Sequence, residues 1–294
     1  MRVNPNPLPD LLAALEQTQQ QINTDLQQIS SGQSVSVPSD NPAAAAALVQ
    51  NAAQTAAADQ FLRSIGSVQG EMQTADSNLN SVTTELQRAI TLGVEGANGT
   101  LNDSDRAAIA AELQGIQSQL VNLANLSYQG NYVFAGTATH TTPYSLDPAS
   151  SLVTYAGNSN TNSVTLGNHF KLQANLPGSQ LFSSPGNDMF EAIQDLITGL
   201  QSNTGISSAV EQLSSVSNYI AGQRVFYGNA ENQLNSQQAF LKSDTTQLAQ
   251  QQNTLGAADL PAVITNLTSA ETSHQATLES IAGAMQTNLF SYIK

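Results

Sequence analysis

The sequence predicts a mainly α-helical fold with a small β insertion. The expected architecture is an antiparallel bundle of long helices, with the N- and C-terminal helices paired as a coiled coil and a β-rich segment at the far end. Three observations predict it. Apolar residues recur at alternating spacings of three and four over most of the chain. Turn chemistry and β-type runs are confined to one stretch, from Gly130 to about Ser184. One heptad stripe is too long to be buried inside a compact domain of this size.

The N-terminal helix is read from Leu8, Leu12, Leu15, Gln19, Ile22, Leu26 and Ile29, the a/d seam of a coiled coil interrupted once by Gln19. Ser30-Ser31-Gly32 supplies its glycine stop. Pro5, Pro7 and Pro9 crowd the start, so helix is expected from about residue 8. At the other end Leu260, Ile264, Leu267, Glu271, His274, Leu278, Ile281 and Met285 repeat the alternation, with Leu289 one residue late.

Between the termini, Ile65, Val68, Met72, Ala75, Leu79, Val82 and Leu86 form one seam. Ile109, Leu113, Ile116, Leu120 and Leu123 form another after the polar break Asn98-Gly99-Thr100-Leu101-Asn102-Asp103. Asp103 is the expected N-cap there, and Asp105 favours the first turn through the helix dipole. The most regular stripe is Leu213, Ile220, Tyr227, Leu234, Leu241, Leu248 and Leu255. At 1.5 Å per residue the helix it implies is on the order of 60 Å long and must lie along other long helices.

The insertion shows β-type runs at Tyr132 to Ala135, Leu152 to Tyr155, Ser163 to Leu166 and Phe170 to Leu172, with Gly157 to Asn162 as a hairpin tip. Met189, Ile193, Leu196, Ile197 and Leu200 return to helical spacing. The expected domains are a terminal coiled coil of residues 1–40 with 257–294, a helical bundle of 41–136 with 187–256, and a small β-rich domain of 137–186.

A heptad stripe ordinarily means packing within one chain. That is expected for a bundle core of Ile65, Met72, Leu79, Leu86, Ile109, Leu113, Ile116, Leu120, Leu213, Ile220, Tyr227, Leu234, Leu241 and Leu248. The terminal seams differ. Helices this short, rich in Ala and Gln, are marginal as an isolated pair. Leu8, Leu12, Leu15, Ile22, Leu26, Ile29, Leu260, Ile264, Leu267, Leu278, Ile281, Met285 and Leu289 are therefore expected to form an assembly seam that orders fully only against neighbouring subunits. Gln19, Glu271 and His274 interrupt it, either as locally exposed positions or as register-setting polar residues.

Composition narrows the function classes. Charged residues are 10% of the 294, against about a quarter in ordinary domains, and uncharged Gln, Asn, Ser and Thr replace them. Such surfaces suit packing against copies of themselves. The formal charge of −14 repels phosphate backbones and anionic lipid, so nucleic acid and membrane are not expected partners. With no cysteine, disulfides and thiol chemistry are excluded. The longest apolar run, Ala43 to Val49, is far short of the ~18 residues a membrane span needs. The N-terminus lacks an apolar core followed by a small-residue cleavage site, so export without a removed leader is expected.

No chemistry-bearing constellation stands out. There is no GxGxxG, P-loop or GxSxG sequence. His140, His169 and His274 are scattered outside any HExxH context. Glu85, Glu95, Glu112 and Glu191 could pair as a glycosidase dyad, but they fall mostly on expected solvated helix faces. Asp103 and Asp105 lack the spacing of a calcium loop and read as a helix cap. No catalytic residue, cofactor or metal is expected.

Several stretches carry a family resemblance. Gln28-Ile29-Ser30-Ser31-Gly32 followed by Pro38-Ser39-Asp40-Asn41-Pro42-Ala43-Ala44 resembles the N-terminal signature of the flagellin superfamily, with Asn41 where a second aspartate is common. Ala97 to Arg106, continued by Leu113-Gln114-Gly115-Ile116 and Leu120 to Asn125, is similar to its second signature, and Gly222 to Lys294 is similar to its C-terminal helices. Within the superfamily, Gly130 to Gly136, Gly178 to Phe182 and the ending Leu289-Phe290-Ser291-Tyr292-Ile293 resemble its hook-filament junction branch.

The resemblance implies a secreted structural protein of the bacterial flagellum, exported unfolded by the type III apparatus. It would form a homo-oligomeric ring between hook-associated protein 1 and flagellin, its C-terminal helices held before export by a cytoplasmic chaperone. The terminal coiled coil would then line the inner tube and the β insertion would face outward. A flagellin-type filament subunit is the nearest rival. A coiled-coil signalling protein is the rival from another class, and an exported enzyme a third.

Overall fold

The computed structural model describes residues 8–167 and 170–292, with side chains to Met285. Pro5, Pro7, His169 and the Leu289 side chain lie outside the described residues. The described chain folds as two compact units, residues 1–57 with 243–294 and residues 58–242. Within the second unit the apolar residues of the β segment share one core with those of the helices.

The first unit holds α1 (Leu8–Ser31), the start of α2 (Pro42–Gly96), the end of α6 (Ile206–Gly256) and α7 (Leu260–Tyr292). Gly32 takes φ +69°, the left-handed conformation that ends a helix without steric cost, and its N–H closes on the Gln28 carbonyl. The chain then turns past a bridge between Gln33 and Ala257. Ser34 N donates to Gly256 O at 2.7 Å, and Ala258 N to Gly32 O at 2.9 Å. Pro42 opens α2, where a missing N–H is harmless, behind Asn41, whose Oδ1 accepts from Ala44 N at 3.1 Å. The buried Asn51 ties α2 to α6 by donating from Nδ2 to Leu248 O at 3.1 Å.

The second unit holds the rest of α2 and α6 with α3 (Asp103–Ala124), the short α4 (Gly178–Leu181) and α5 (Met189–Ser202). Its strands form four two-stranded antiparallel pairs: β1 (Ser127–Tyr128) with β2 (Asn131–Tyr132), β3 (Tyr144–Leu146) with β4 (Val153–Tyr155), β5 (Ser163–Thr165) with β6 (Lys171–Gln173), and β7 (Ser183–Ser184) with β8 (Asn187–Asp188). A single apolar core runs through helices and strands. Leu79, Leu86, Leu113, Leu120, Leu213 and Ile220 meet Phe134, Tyr144, Leu166 and Phe182 there. Phe134 and Phe182 pack edge to face at 5.1 Å.

Two local expectations are corrected. The N-cap of α3 is Asn102, not Asp103: Asn102 is extended and its Oδ1 accepts from Asp105 N at 2.9 Å, while Asp103 enters the helix and pairs with the buried Arg106. Gly157 to Asn162 is a connector between hairpins, not a hairpin tip. The partner of β4 is β3, registered Tyr144 to Tyr155, and β3 is too short to show an alternating pattern. The connector is fixed instead by Asn158, whose Oδ1 accepts from Thr137 N at 2.9 Å.

Helices approach closely where α2 meets α5 and α6. A Cβ built at Gly93 would lie 2.6 Å from Val210 Cγ2 and 3.0 Å from Leu196 Cδ2, whereas one at Gly66 meets open space. Gly66→Ala should therefore stabilise the chain by about 0.5–1 kcal/mol through backbone entropy. In Gly93→Ala, overpacking of about 1–3 kcal/mol outweighs that gain. Denaturant unfolding of the two variants should move the midpoint in opposite directions.

Candidate assembly surface

α1 and α7 run antiparallel. The Gln33–Ala257 bridge joins one end of α1 to the start of α7, and farther along Thr18 Oγ1 lies 3.2 Å from His274 Nδ1. On α1 the less exposed positions form a row through Leu8, Leu11, Leu15, Thr18, Ile22, Asp25 and Ile29, with Ala14 and Gln28 beside it. On α7 they are Val263, Leu267, Ala270, His274, Thr277, Ile281 and Ala284. Both sets alternate three and four, so both are a/d seams.

These seams share only alternate positions with the seams read from the sequence. Leu8, Leu15, Ile22 and Ile29 of α1 and Leu267, His274 and Ile281 of α7 face inward. The remaining members stand one residue to the side and stay exposed: Leu12 at 50%, Leu26 at 49%, Ile264 at 52%, Leu278 at 46% and Met285 at 58%, with Leu260, Gln19 and Glu271 also exposed. The inner α7 positions at seven-residue spacing, Val263, Ala270, Thr277 and Ala284, are smaller than their exposed neighbours Ile264, Glu271, Leu278 and Met285. Small residues let two helix axes approach, so they take the seam and the large side chains are left on its flank.

The inner seam holds one residue that hydrophobic patterning missed. Asp25 is 2% exposed; its Oδ1 accepts from Gln21 Nε2 at 2.9 Å, and its Oδ2 has no partner among the described residues. α1 contains no Lys or Arg, and α7 contains none through Met285. The signal that could have found this seam is the row of small residues at 263, 270, 277 and 284, which a search for large apolar residues passes over.

Every position expected in the bundle core, from Ile65 to Leu248, is buried, with Leu248 in the first unit and the others in the second. Residues considered for chemistry do not converge. His140 is exposed in the β segment, and His274 lies in the α1–α7 seam. Glu112 pairs with Arg88, Glu85 accepts from Gln119, and Glu95 and Glu191 are exposed. Among the described residues no group of His, Cys, Asp and Glu is arranged to hold a metal ion.

A groove of the second unit, about 400 Å³, is lined by Asp76, Arg224, Tyr227 and Glu231 among others. Arg224 Nε and Nη2 form a two-pronged pair with Asp76 at 2.8 and 2.9 Å, fastening α6 to α2. Burial raises the Glu71 carboxyl and the Tyr227 phenol above their usual ranges. No nucleophile stands beside a base, so the groove reads as helix-to-helix fastening. No described helix is long and apolar enough to cross a membrane.

Residues 9–139 match the family described as the bacterial flagellin N-terminal helical region. The chain is 33% identical over 168 residues to flagellar hook-associated protein 3 of Escherichia coli, covering 57% of this chain and 49% of that protein. The N-terminal part of the chain is thus similar to the helical region of bacterial flagellins. A second relative, flagellar hook-associated protein 3 of Salmonella typhimurium, is 40% identical over 119 residues, covering 40% of this chain and 38% of that protein. The chain thus spans about half or less of the length of these two relatives. A solved structure from Vibrio parahaemolyticus, described as a flagellar hook-associated protein, superposes with a TM-score of 0.66 at 21% identity, covering 73% of this chain and 98% of that one. At that identity the likeness shows a shared fold.

Proposed function

We propose that the protein is a structural component of the bacterial flagellum that forms the junction ring between hook and filament. Its partners are then further copies of itself, hook-associated protein 1 below and flagellin above, with a cytoplasmic chaperone on the C-terminal helices before export. Its place is extracellular, at the distal end of the hook, reached without a cleaved leader. No catalysis is assigned to it.

The observation that carries this reading is the unpartnered flank of α1 and α7. Leu12, Leu26, Ile264, Leu278 and Met285 leave large apolar side chains in water on helices already paired along another side. On a chain of formal charge −14, self-association is favoured where charge is sparse, and this flank carries little of it. Residues 8–31 and 260–285 would then pack against the same helices of neighbours around the ring, forming its inner layer. The superfamily relatives named hook-associated protein 3 favour the junction over the filament. A filament subunit remains the second reading, because flagellins share the same N-terminal region.

Deletion of the gene in the source organism separates the two. Hooks without filaments, with monomeric flagellin in the medium, support the junction. Bare hooks with no flagellin in the medium identify a filament subunit, and normal filaments with no second copy of the gene count against both.

A further inference from the structure

The turn between α2 and α3 carries a reactive sequence that is not part of the proposed assembly flank. Asn98-Gly99 is the single Asn-Gly pair in the sequence, and residues 97–100 are exposed. The Asn98 side chain is not free to wander. Its Oδ1 accepts from Thr100 N at 3.2 Å and from Thr100 Oγ1 at 3.0 Å. These bonds fold the carboxamide back over the following peptide and draw electron density from Cγ, which makes that carbon a better electrophile. Among the described residues the Gly99 N–H donates no hydrogen bond. A Cβ at Gly99 would meet nothing within 4 Å, so neighbours do not obstruct rotation there. Electrophile, free nitrogen and water are brought together on a glycine backbone with wide conformational range.

We propose that Asn98 is a deamidation site of the folded protein. Gly99 N loses its proton to hydroxide and attacks Asn98 Cγ. The new N–Cγ bond closes a succinimide, and the side-chain nitrogen leaves as ammonia after taking a proton from water. Water then adds to either ring carbonyl, giving aspartate or isoaspartate. The net change is one water consumed and one ammonia released, with no oxidant or cofactor.

The isoaspartyl product has structural consequences. Its backbone runs through the former side chain and gains a methylene. That lengthens the turn in which Leu101 N donates to Asn98 O at 3.1 Å and Arg106 Nη1 reaches Leu101 O at 2.6 Å. The new carboxylate also follows the C-terminal end of α2, beside Glu95, where the helix dipole disfavours negative charge. Ageing at Asn98 should therefore loosen the N-terminal turn of α3.

The test follows the intact purified chain at neutral and mildly alkaline pH. Samples taken over time are digested with trypsin and mapped by mass spectrometry, with isoaspartate labelled enzymatically. The peptide Ala89 to Arg106 holds both Asn98 and Asn102, so Asn102, whose oxygen caps α3, serves as an internal control. Asn98 is expected to convert before every other asparagine, faster at higher pH, and at least as fast in the folded chain as in denaturant. Gly99→Ala should slow it by an order of magnitude with an unchanged melting curve. Retention of the Asn98 amide in the folded chain while the denatured chain loses it would overturn the proposal. So would earlier conversion at another asparagine.

Discussion

Replacing Leu26 and Ile264 together by glutamate should abolish assembly at the junction while leaving the isolated chain folded. About half of each side chain is already in water and neither sits in the α1–α7 seam, so the substitution removes little from the monomer. In a ring each copy presents both residues to neighbours. At roughly 25 cal/mol per Å² of apolar surface, covering what remains exposed contributes on the order of 1 kcal/mol per side chain, repeated in every copy. Glutamate reverses the sign, because an uncompensated carboxylate at an interface costs several kcal/mol, and this one would enter a chain of charge −14. Cells carrying the double variant should export the protein, lack filaments and leak flagellin. The purified variant should melt with the wild type. Ile281→Glu is the contrast: Ile281 is buried in the seam, so that change should lower monomer stability as well. Normal filaments on the double-variant cells would remove the exposed flank from the assembly.

Asp25→Leu should tighten the terminal helix pair by about 1–3 kcal/mol, the cost of a buried acceptor left without a partner, against the usual rule that core substitutions destabilise. Asp25 is buried with one oxygen unpartnered, and neither described helix supplies a cation. Its single hydrogen bond comes from Gln21, one turn away on the same helix, so it contributes nothing across the pair. Leucine removes the desolvation cost and adds apolar burial at a seam position. Asp25→Asn, which keeps the shape and removes the charge, should recover part of the gain. Hydrogen exchange of residues 8–31 and 260–285 in the purified chain measures this directly: protection should rise in the order wild type, Asn, Leu. Unchanged or faster exchange in Asp25→Leu would mean that the carboxylate is solvated through opening of the pair and carries no such cost.

The sequence was most legible where one residue type left no choice. Gly32 ends α1 because the left-handed conformation there excludes most side chains. The helical seams in the second unit were readable because most of their positions are large and apolar beside polar neighbours, as at Leu79, Leu86 and Leu213. Legibility failed where neighbours were equivalent or where the signal was small. β3 is too short to show a period, so the pairing of β4 and the role of Gly157 to Asn162 were misread. Asp103 and Asn102 are both good caps, and only the backbone angle at Asn102 separates them.

The terminal helices show the division most clearly. Their spacing by itself determined that both ends are helical and that they carry a coiled-coil repeat. Which of two adjacent registers faces the partner was decided only by tertiary packing. Leu11 and Leu12 serve an apolar stripe equally well, and hydrophobicity alone would place Leu26 inward and Asp25 in water. The pair does the reverse, because the row of small residues on α7 allows close approach only along Val263, Ala270, Thr277 and Ala284. A one-residue step turns a side chain about 100° around the helix. The choice of row therefore carries Asp25 into the seam and leaves the large apolar residues on the flank, free for a neighbour.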